Sequence, residues 1–513
     1  MSSLFVTKSV ADCEKDIAER SGLKRSLNKW HLTALGVGAT IGAGIFATTG
    51  TAIAGDPLRP GAGPAIILSF ILTAATCGFA ALCYAEFAAM VPVAGSAYTY
   101  AYASLGELVA WIIGWDLIVE YAVGNIGVAI GWAGYFRELL SHFGLSLPAW
   151  LATDVRSAHM AADALKAGAS NATNTYVASA LDSAPHILGF PLIANLPAFL
   201  IVALITVILV IGIRESANSN NAMVLLKIGI ILFFTAVGIT LIKPENWNNP
   251  EIGGFAPNGW KGISTGAAII FFSYIGFDAT STAAEEAKNP AKDMPFGIMM
   301  SLLVCTIIYI MLATVMTGMA PWNKLGTAEP MITALSLAEG SPRLINISRF
   351  IVALGAVIAM SSVLLVFQLG QPRIFMSMAR DGLLPPLLGK IHPRFKTPYI
   401  GTILTGLFVG TFAAFANIAE VVDLTNIGTL FAFILVSAGV IVLRYKDPDR
   451  PRPFRAPWVP LTPIISIVTC LYLMLQLPRI TWIRFTVWLV AGLIIYFLYS
   501  AKHSRLRNPK PKT

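Results

Sequence analysis

Charge is what this sequence has least of. Only 12% of its 513 residues are Asp, Glu, Lys or Arg, about half the share of an ordinary globular chain. Against that, 56% are hydrophobic and mean hydropathy is +0.70. A soluble chain this long splits into several cores and covers each with polar residues; too few are present here, so the solvent must be lipid. Cysteine is also sparse. Cys13, Cys77, Cys83, Cys305 and Cys470 are scattered, four of them in apolar stretches, which excludes a disulfide scaffold and leaves no Cys/His metal spacing. There is no phosphate-binding glycine loop followed by Lys-Ser/Thr, no metal-binding histidine set on an apolar run and no serine elbow. No enzyme, cofactor or metal is therefore expected. The net charge of +9 sits between apolar runs and in the tails, which reads as membrane topology and not as nucleic-acid binding.

A hydrocarbon core about 30 Å thick takes roughly 20 apolar helical residues. Twelve such runs occur, at about 31–55, 64–86, 98–136, 188–213, 219–242, 262–284, 295–320, 345–372, 398–418, 422–443, 458–478 and 481–500. An even number puts both termini on one side. Of the 36 Lys and Arg residues, 24 fall in segments on the side of the termini and 11 in the opposite loops, with Lys227 left inside a run. The cationic side is cytoplasmic, so both termini are expected there, in a cell membrane. Residues 1–30 are too polar for a cleaved signal peptide and are expected to form a cytoplasmic segment, with a short tail at 501–513. The loop at 137–186, rich in Ala, Ser and Asn, falls outside and can cap the entrance; loops this long are functional or disordered. Asn171-Ala172-Thr173 matches a glycosylation sequon, a pattern frequent by chance.

Two runs are odd in the same way. The first contains LGVGATIGAGIF, with Gly36, Gly38, Gly42 and Gly44; the sixth contains FFSYIGFDAT, with Gly276 and then Asp278. Glycine weakens a helix by about 1 kcal/mol relative to Ala, and in lipid a broken helix survives only where it lines a cavity or is buried in protein. Interrupted helices at corresponding places in two halves point to a midplane binding site; small residues that merely allow close packing are the competing reading. Free NH groups at a half-helix N-terminus suit a carboxylate, and unwound carbonyls suit an ammonium. An amino acid carries both groups.

The segments GATIGAGIF (38–46), YAEFAAMVPVAGSAYTY (84–100), GIRESANSNNAMVLLKIG (212–229), FFSYIGFDATSTAAEEAKNPAKDMP (271–295) and QPRIFMSMARDGLLP (371–385) resemble the amino acid/polyamine/organocation (APC) superfamily, in particular bacterial members of its cationic amino acid transporter branch. The resemblance implies an all-α integral membrane protein with twelve transmembrane helices in a five-plus-five inverted repeat, the leucine-transporter-like fold, with helices 1 and 6 broken. The first repeat would occupy 31–242, the second 262–443, and helices 11 and 12 residues 458–500. By the same resemblance, the amides of Gly42, Ala43 and Gly44 would hold the substrate carboxylate. The carbonyls around Thr40 and Ile41 and those of Phe272, Ser273 and Ile275 would hold its ammonium. Phe272 would also be the aromatic gate over bound substrate.

Lys227, alone in AMVLLKIGIILFF, is costly in a membrane and points to function, unless it snorkels to the interface. The resemblance turns it toward the carbonyl of Gly38 and toward Ser361 or Ser362, where sodium-coupled relatives hold a cation, so Lys227 is expected to replace sodium and cycle a proton. Asp116 and Glu120 lie four apart on one face of the third run. Glu120 either meets a substrate side chain, belongs to the proton path or makes an intraprotein contact. Asp278 is either a gating acid, by resemblance, or a cap on the second half of the sixth helix. Glu86, Glu285 and Glu286 are expected to pair with Lys288, Lys292 or Arg373.

The function expected is secondary active import of cationic or small neutral amino acids by alternating access, coupled to protons, with the amino acid, protons and the lipid bilayer as partners. An exchanger is the alternative. A sensor built on a transporter fold would carry a large soluble domain, and between its ends this sequence has none. A pore also uses broken helices, but its flux would not saturate. Lipid-facing helices leave no sequence mark of a small membrane partner, so that point stays open.

Overall fold

The computed structural model describes residues 6–7, 27–90, 96–166, 172–187, 189–212 and 217–507. Most of the expected 1–30 segment, Arg214, Asn171 of the sequon and the tail beyond 507 lie outside the described residues.

Apolar runs become helices because in lipid every backbone group must find its partner within the segment. The first run gives α1 (Lys29–Thr40), a break, a π-helical turn (Gly44–Thr48) and α2 (Thr49–Ala54). Then come α3 (Ile66–Met90), α4 (Ser96–Ser104), α5 (Glu107–Ile118), a second π-helical turn (Val119–Val123) and α6 (Gly124–Ser141). Beyond the cap helix α7 (Val155–Lys166) lie α8 (Leu196–Ile211), α9 (Ala217–Ile239), α10 (Gly259–Ile270), α11 (Pro290–Met319), α12 (Pro330–Leu337), α13 (Pro342–Arg380), α14 (Tyr399–Phe415), α15 (Ile418–Lys446), α16 (Leu461–Leu475) and α17 (Arg479–Ile495). Starts are marked by caps: Asn28 accepts from the amides of Trp30 and His31 at 3.0 Å, Asn195 from Ala198 at 3.2 Å and Asn417 from Ala419 at 3.0 Å. Pro197, Pro290 and Pro342 sit in first turns, where their missing NH costs nothing. Among the described residues eight helical stretches are long and apolar enough to cross a bilayer, and three shorter apolar helices, α8, α14 and α16, lie among them.

One expected run divides. The stretch taken as 98–136 is two helices, because Leu105 ends α4 and Gly106, at φ +100°, redirects the chain into α5. The short α4 is rich in Tyr and Ala, so its apolarity reads like that of a span. At the other end α6 continues to Ser141, so the expected loop at 137–186 begins inside a helix.

The stretches 29–54 and 107–141 are almost wholly buried, whereas 479–503 is mostly exposed on its apolar side; the first and third stretches are thus the centre of the bundle and the last its rim. The two described ends meet on one face. The amide of Glu107 donates to Val6 O at 3.1 Å, and Arg507 Nε pairs with Glu107 Oε1 at 2.8 Å. Glu107 is fully buried and also accepts from the hydroxyls of Tyr102 and Tyr496, both at 3.1 Å, and of Ser504. On the same face Glu86 pairs not with the expected lysines but with Arg444, through two bonds of 2.8 Å, and with Arg452, because the link after α15 folds back over the end of α3.

The opposite face is tied by other ion pairs. Arg59, on the two-residue hairpin Gly55–Asp56/Arg59–Pro60, bridges Asp56 and Asp423 at 2.7 Å each. Arg137 pairs with Glu329 and covers the ring of Tyr176 at 4.7 Å. Glu420 takes both Arg156, from the cap, and Arg484. In the cap, burial pushes the Asp154 carboxyl above its ordinary range, while the Ser157 hydroxyl and amide draw it back.

Candidate functional site

The two interrupted helices meet backbone to backbone. α1 stops where Ile41 turns extended (φ −74°, ψ 99°), and its amide still donates to Val37 O at 2.9 Å. The chain restarts at Ala43 and Gly44, whose leading NH groups have no turn before them to bond. In the sixth run, α10 passes through a tight turn (Phe271–Ser273), breaks at Tyr274 to Phe277 and resumes as a 3-10 helix (Asp278–Glu286). Two glycines make the contact possible. A Cβ on Gly44 would lie 2.3 Å from Ser273 Cα, and one on Gly276, which sits at φ +124°, would lie 2.8 Å from the carbonyl carbon of Ala39.

Between the breaks lies a small cavity of about 10 Å³, lined by Ala39, Thr40, Gly42, Ala43, Gly44, Val128, Phe272, Ile275, Val363 and Phe367. That is space for about one water centre. Above it, one helical turn along from Ala43 to Ala47, opens a vestibule of about 590 Å³ reaching Arg59, Arg137, Glu329 and the cap. Phe272 lines the cavity and Ile269, one turn earlier, lines the vestibule; the Phe272 ring reaches within 3.4 Å of where a Cβ on Gly127 would sit. The hydroxyls of Thr40 and Ser273 are buried without a hydrogen-bond partner among the described residues.

The C-terminal end of α1 is held by donors. Lys227 Nζ, itself fully buried in the middle of α9, donates to Gly38 O at 2.6 Å, and Tyr309 on α11 donates to Thr40 O at 3.1 Å. A cation belongs at such an end, where the carbonyls lack partners and the helix dipole is negative. Lys227 therefore does not snorkel. Ser361 is committed elsewhere: its hydroxyl donates to Val357 O at 2.7 Å and accepts from Trp132 Nε1 at 2.9 Å. Ser362, its neighbour, is half-buried.

Asp278 Oδ1 accepts from the amide of Gly276 at 3.2 Å and so closes the turn that breaks the sixth helix. Glu120 lies in the π-helical turn, beside the Asp278 carboxyl and the Thr429 hydroxyl. Asp116, one turn nearer the face of the termini, is buried against Gly428, where a Cβ would come 2.8 Å from its Oδ1; neither of its oxygens has a partner among the described residues. Thus Gly38 and Lys227 come together, the Thr40 to Gly44 cradle faces Phe272 and Ile275, and Glu120 joins Asp278. The sequence reading missed Tyr309, Val128, Val363 and Phe367. A tyrosine inside an apolar helix needs an acceptor, which was a usable signal for Tyr309; the other three have no signal, since their helices are apolar on all sides.

A family model described as amino acid permease matches residues 27–499. The chain is 44% identical over 506 residues to the branched-chain amino acid permease of Bacillus subtilis (strain 168), covering 99% of each. It is likewise 44% identical over 508 residues to a methylthioribose transporter of the same organism, covering 99% of this chain and 100% of the relative. Human cationic amino acid transporter 4 is 30% identical over 611 aligned positions, with 96% and 89% covered. With its interrupted helices inside a match that spans nearly the whole sequence, the chain belongs to the amino acid permease family and is a multi-pass membrane transporter of amino acids, not an enzyme.

Proposed function

We propose that the protein imports amino acids into the cell by alternating access, driven by the proton gradient. The twelve runs would then form two inverted five-helix repeats with both termini cytoplasmic, the vestibule would open outward, and the cavity between the broken helices would be the substrate site. The observation that carries this reading is the meeting of Gly44 with Ser273 and of Gly276 with Ala39 beside a small cavity, with a 590 Å³ vestibule above it. Amides of Gly42 to Gly44 suit the carboxylate, and Thr40, Phe272, Ser273 and Ile275 suit the ammonium.

Lys227 is the coupling residue in this account. Its ammonium fills the end of α1 as a bound cation would, and losing its proton would cut the charge-assisted bond to Gly38 O and loosen that end. The Glu120 and Asp278 carboxyls, which share one buried space, offer a second proton station. Relatives named for a branched-chain amino acid, a thiosugar and cationic amino acids do not decide the substrate between them. Saturable uptake of labelled leucine, alanine and arginine into proteoliposomes, with acceleration by internal unlabelled amino acid, tests transport itself. Non-saturable flux would make the protein a pore, and binding without flux a sensor.

A further inference from the structure

The link from α13 to α14 is basic, apolar and exposed at once. From Asp381, which caps α13, to Glu420 the sequence has no acid between. Lys390, Arg394 and Lys396 are exposed, and none of them makes an ion pair among the described residues. Leu387 and Ile391 leave about half their surface uncovered beside them. The link lies on the face where the two described ends meet, since the Arg505 amide donates to Asp381 O at 3.0 Å and Ser500 Oγ to Leu383 O at 2.7 Å. It is also a built turn. The His392 amide donates to Thr397 O at 2.8 Å and the Lys396 amide to His392 O at 3.0 Å, while His392 Nδ1 accepts from the amides of Arg394 and Phe395 at 3.2 and 3.1 Å. The His392 ring stacks on Phe395 and meets Tyr399 edge-on, and Lys396 is held at φ +58°, a conformation that L side chains disfavour. Thr397 Oγ1 donates to Val210 O at 2.8 Å, which clips the turn to the end of α8.

The depth of this turn follows from α14. Its 17 residues make a helix about 25 Å long, short of the roughly 30 Å hydrocarbon core, so its start and the turn that feeds it lie at the membrane boundary and not out in water. Ile211 at the end of α8 and Ile403 and Leu404 early in α14 are exposed apolar neighbours at that level. We propose that the 385–396 turn docks on anionic phospholipid, with Leu387 and Ile391 seated at the edge of the acyl chains and Lys390, Arg394 and Lys396 on the headgroup phosphates. Water satisfies the three cations but not the two aliphatic side chains; the boundary of an anionic leaflet satisfies both. Each basic residue at such a surface strengthens attachment about fivefold. Because the turn continues α13, starts α14 and is clipped to α8, bound lipid anchors these three helices together. In the topology proposed above this face meets the cytoplasmic leaflet, which is the anionic one; the docking itself is independent of which amino acid is carried.

The test is thermal melting of the purified full chain in neutral detergent, titrated with palmitoyl-oleoyl-phosphatidylglycerol or with the zwitterionic phosphatidylcholine of the same chains. Wild-type protein is expected to gain Tm saturably with phosphatidylglycerol, less so as salt is raised, and not with phosphatidylcholine. Replacing two lysines of the turn, Lys390→Gln with Lys396→Gln, should raise the half-saturating phosphatidylglycerol concentration by about tenfold or more. Lys166→Gln with Lys261→Gln removes two exposed lysines from the opposite face and should titrate like wild type. Leu387→Ser with Ile391→Ser keeps every charge and should also weaken the response, because the acyl seat is lost. All these side chains are exposed, so each variant should melt like wild type without lipid. Equal stabilisation by the two lipids, a turn variant that titrates like wild type, or an opposite-face variant that loses as much as the turn variant overturns the proposal. Glycerol 3-phosphate stabilising as well as phosphatidylglycerol overturns it too, since the turn would then bind a free anion and not a lipid.

Discussion

Substituting Gly44 by alanine tests the meeting of the two broken helices. The added carbon would sit 2.3 Å from Ser273 Cα, 2.7 Å from Ser273 N and 2.8 Å from its Oγ, where nonbonded carbons prefer about 3.5–4.0 Å. Two of those three atoms are backbone, so no rotamer change relieves the clash and the helices must part by more than about 1 Å. Overpacking of this kind costs about 1–3 kcal/mol, which shifts a conformational balance by about 5- to 150-fold. Because the strain falls on the amides assigned to the substrate carboxylate, transport should suffer more than folding does. Two alanine substitutions serve as controls in comparable apolar helices: at Gly78 the new carbon meets only Leu302, at 4.0 Å, and at Gly229 it meets nothing within 4 Å. The assay is initial uptake into proteoliposomes, normalised to protein that elutes as a single species and melts cooperatively. Gly44→Ala should lose at least about fivefold in kcat/KM, with Gly78→Ala and Gly229→Ala near wild type. Gly44→Ala transporting like the controls would refute the reasoning.

Gly276→Ala combines a left-handed φ with a 2.8 Å approach to Ala39, and should lower both Tm and uptake; unchanged melting would contradict the tight turn. Tyr309→Phe removes the donor to Thr40 O, a bond worth about 1 kcal/mol, and should raise the substrate Kd by about fivefold in a ligand-dependent melting assay, whereas a purely structural tyrosine would leave Kd alone. Arg507→Ala strands the buried Glu107 carboxylate without its cation, a loss of about 3–5 kcal/mol visible as a lower Tm. Adding Glu107→Gln should restore part of that loss, and strict additivity of the two changes would exclude the coupling.

The apolar runs and the two breaks are readable in the sequence because each has a local cause: hydropathy sustained over a span, and glycines with an acid where helices should continue. Lys227 is readable for the same reason, being the lone charge in its run. What faces what is not readable. In helices apolar on every side, periodicity carries no information about which stripe meets the site, so Val128, Val363 and Phe367 look like lipid-facing residues. Pairings between distant segments, such as Arg59 with Asp423 or Glu86 with Arg444, depend on packing that no local pattern encodes. Ser361 illustrates this limit: the short hydroxyl stretch was legible, but its commitment to Trp132 depends on how α13 is rotated against α6.

The central claim, proton-driven amino acid import through Lys227, is tested most directly by uphill uptake. Purified protein in proteoliposomes with an inward proton gradient should accumulate labelled leucine or alanine above the external concentration, and collapse of the gradient with an ionophore should abolish this. Lys227→Ala should abolish the accumulation while leaving the protein folded. Full accumulation by Lys227→Ala, or wild-type flux that occurs only in exchange for internal amino acid and ignores the gradient, would contradict the account.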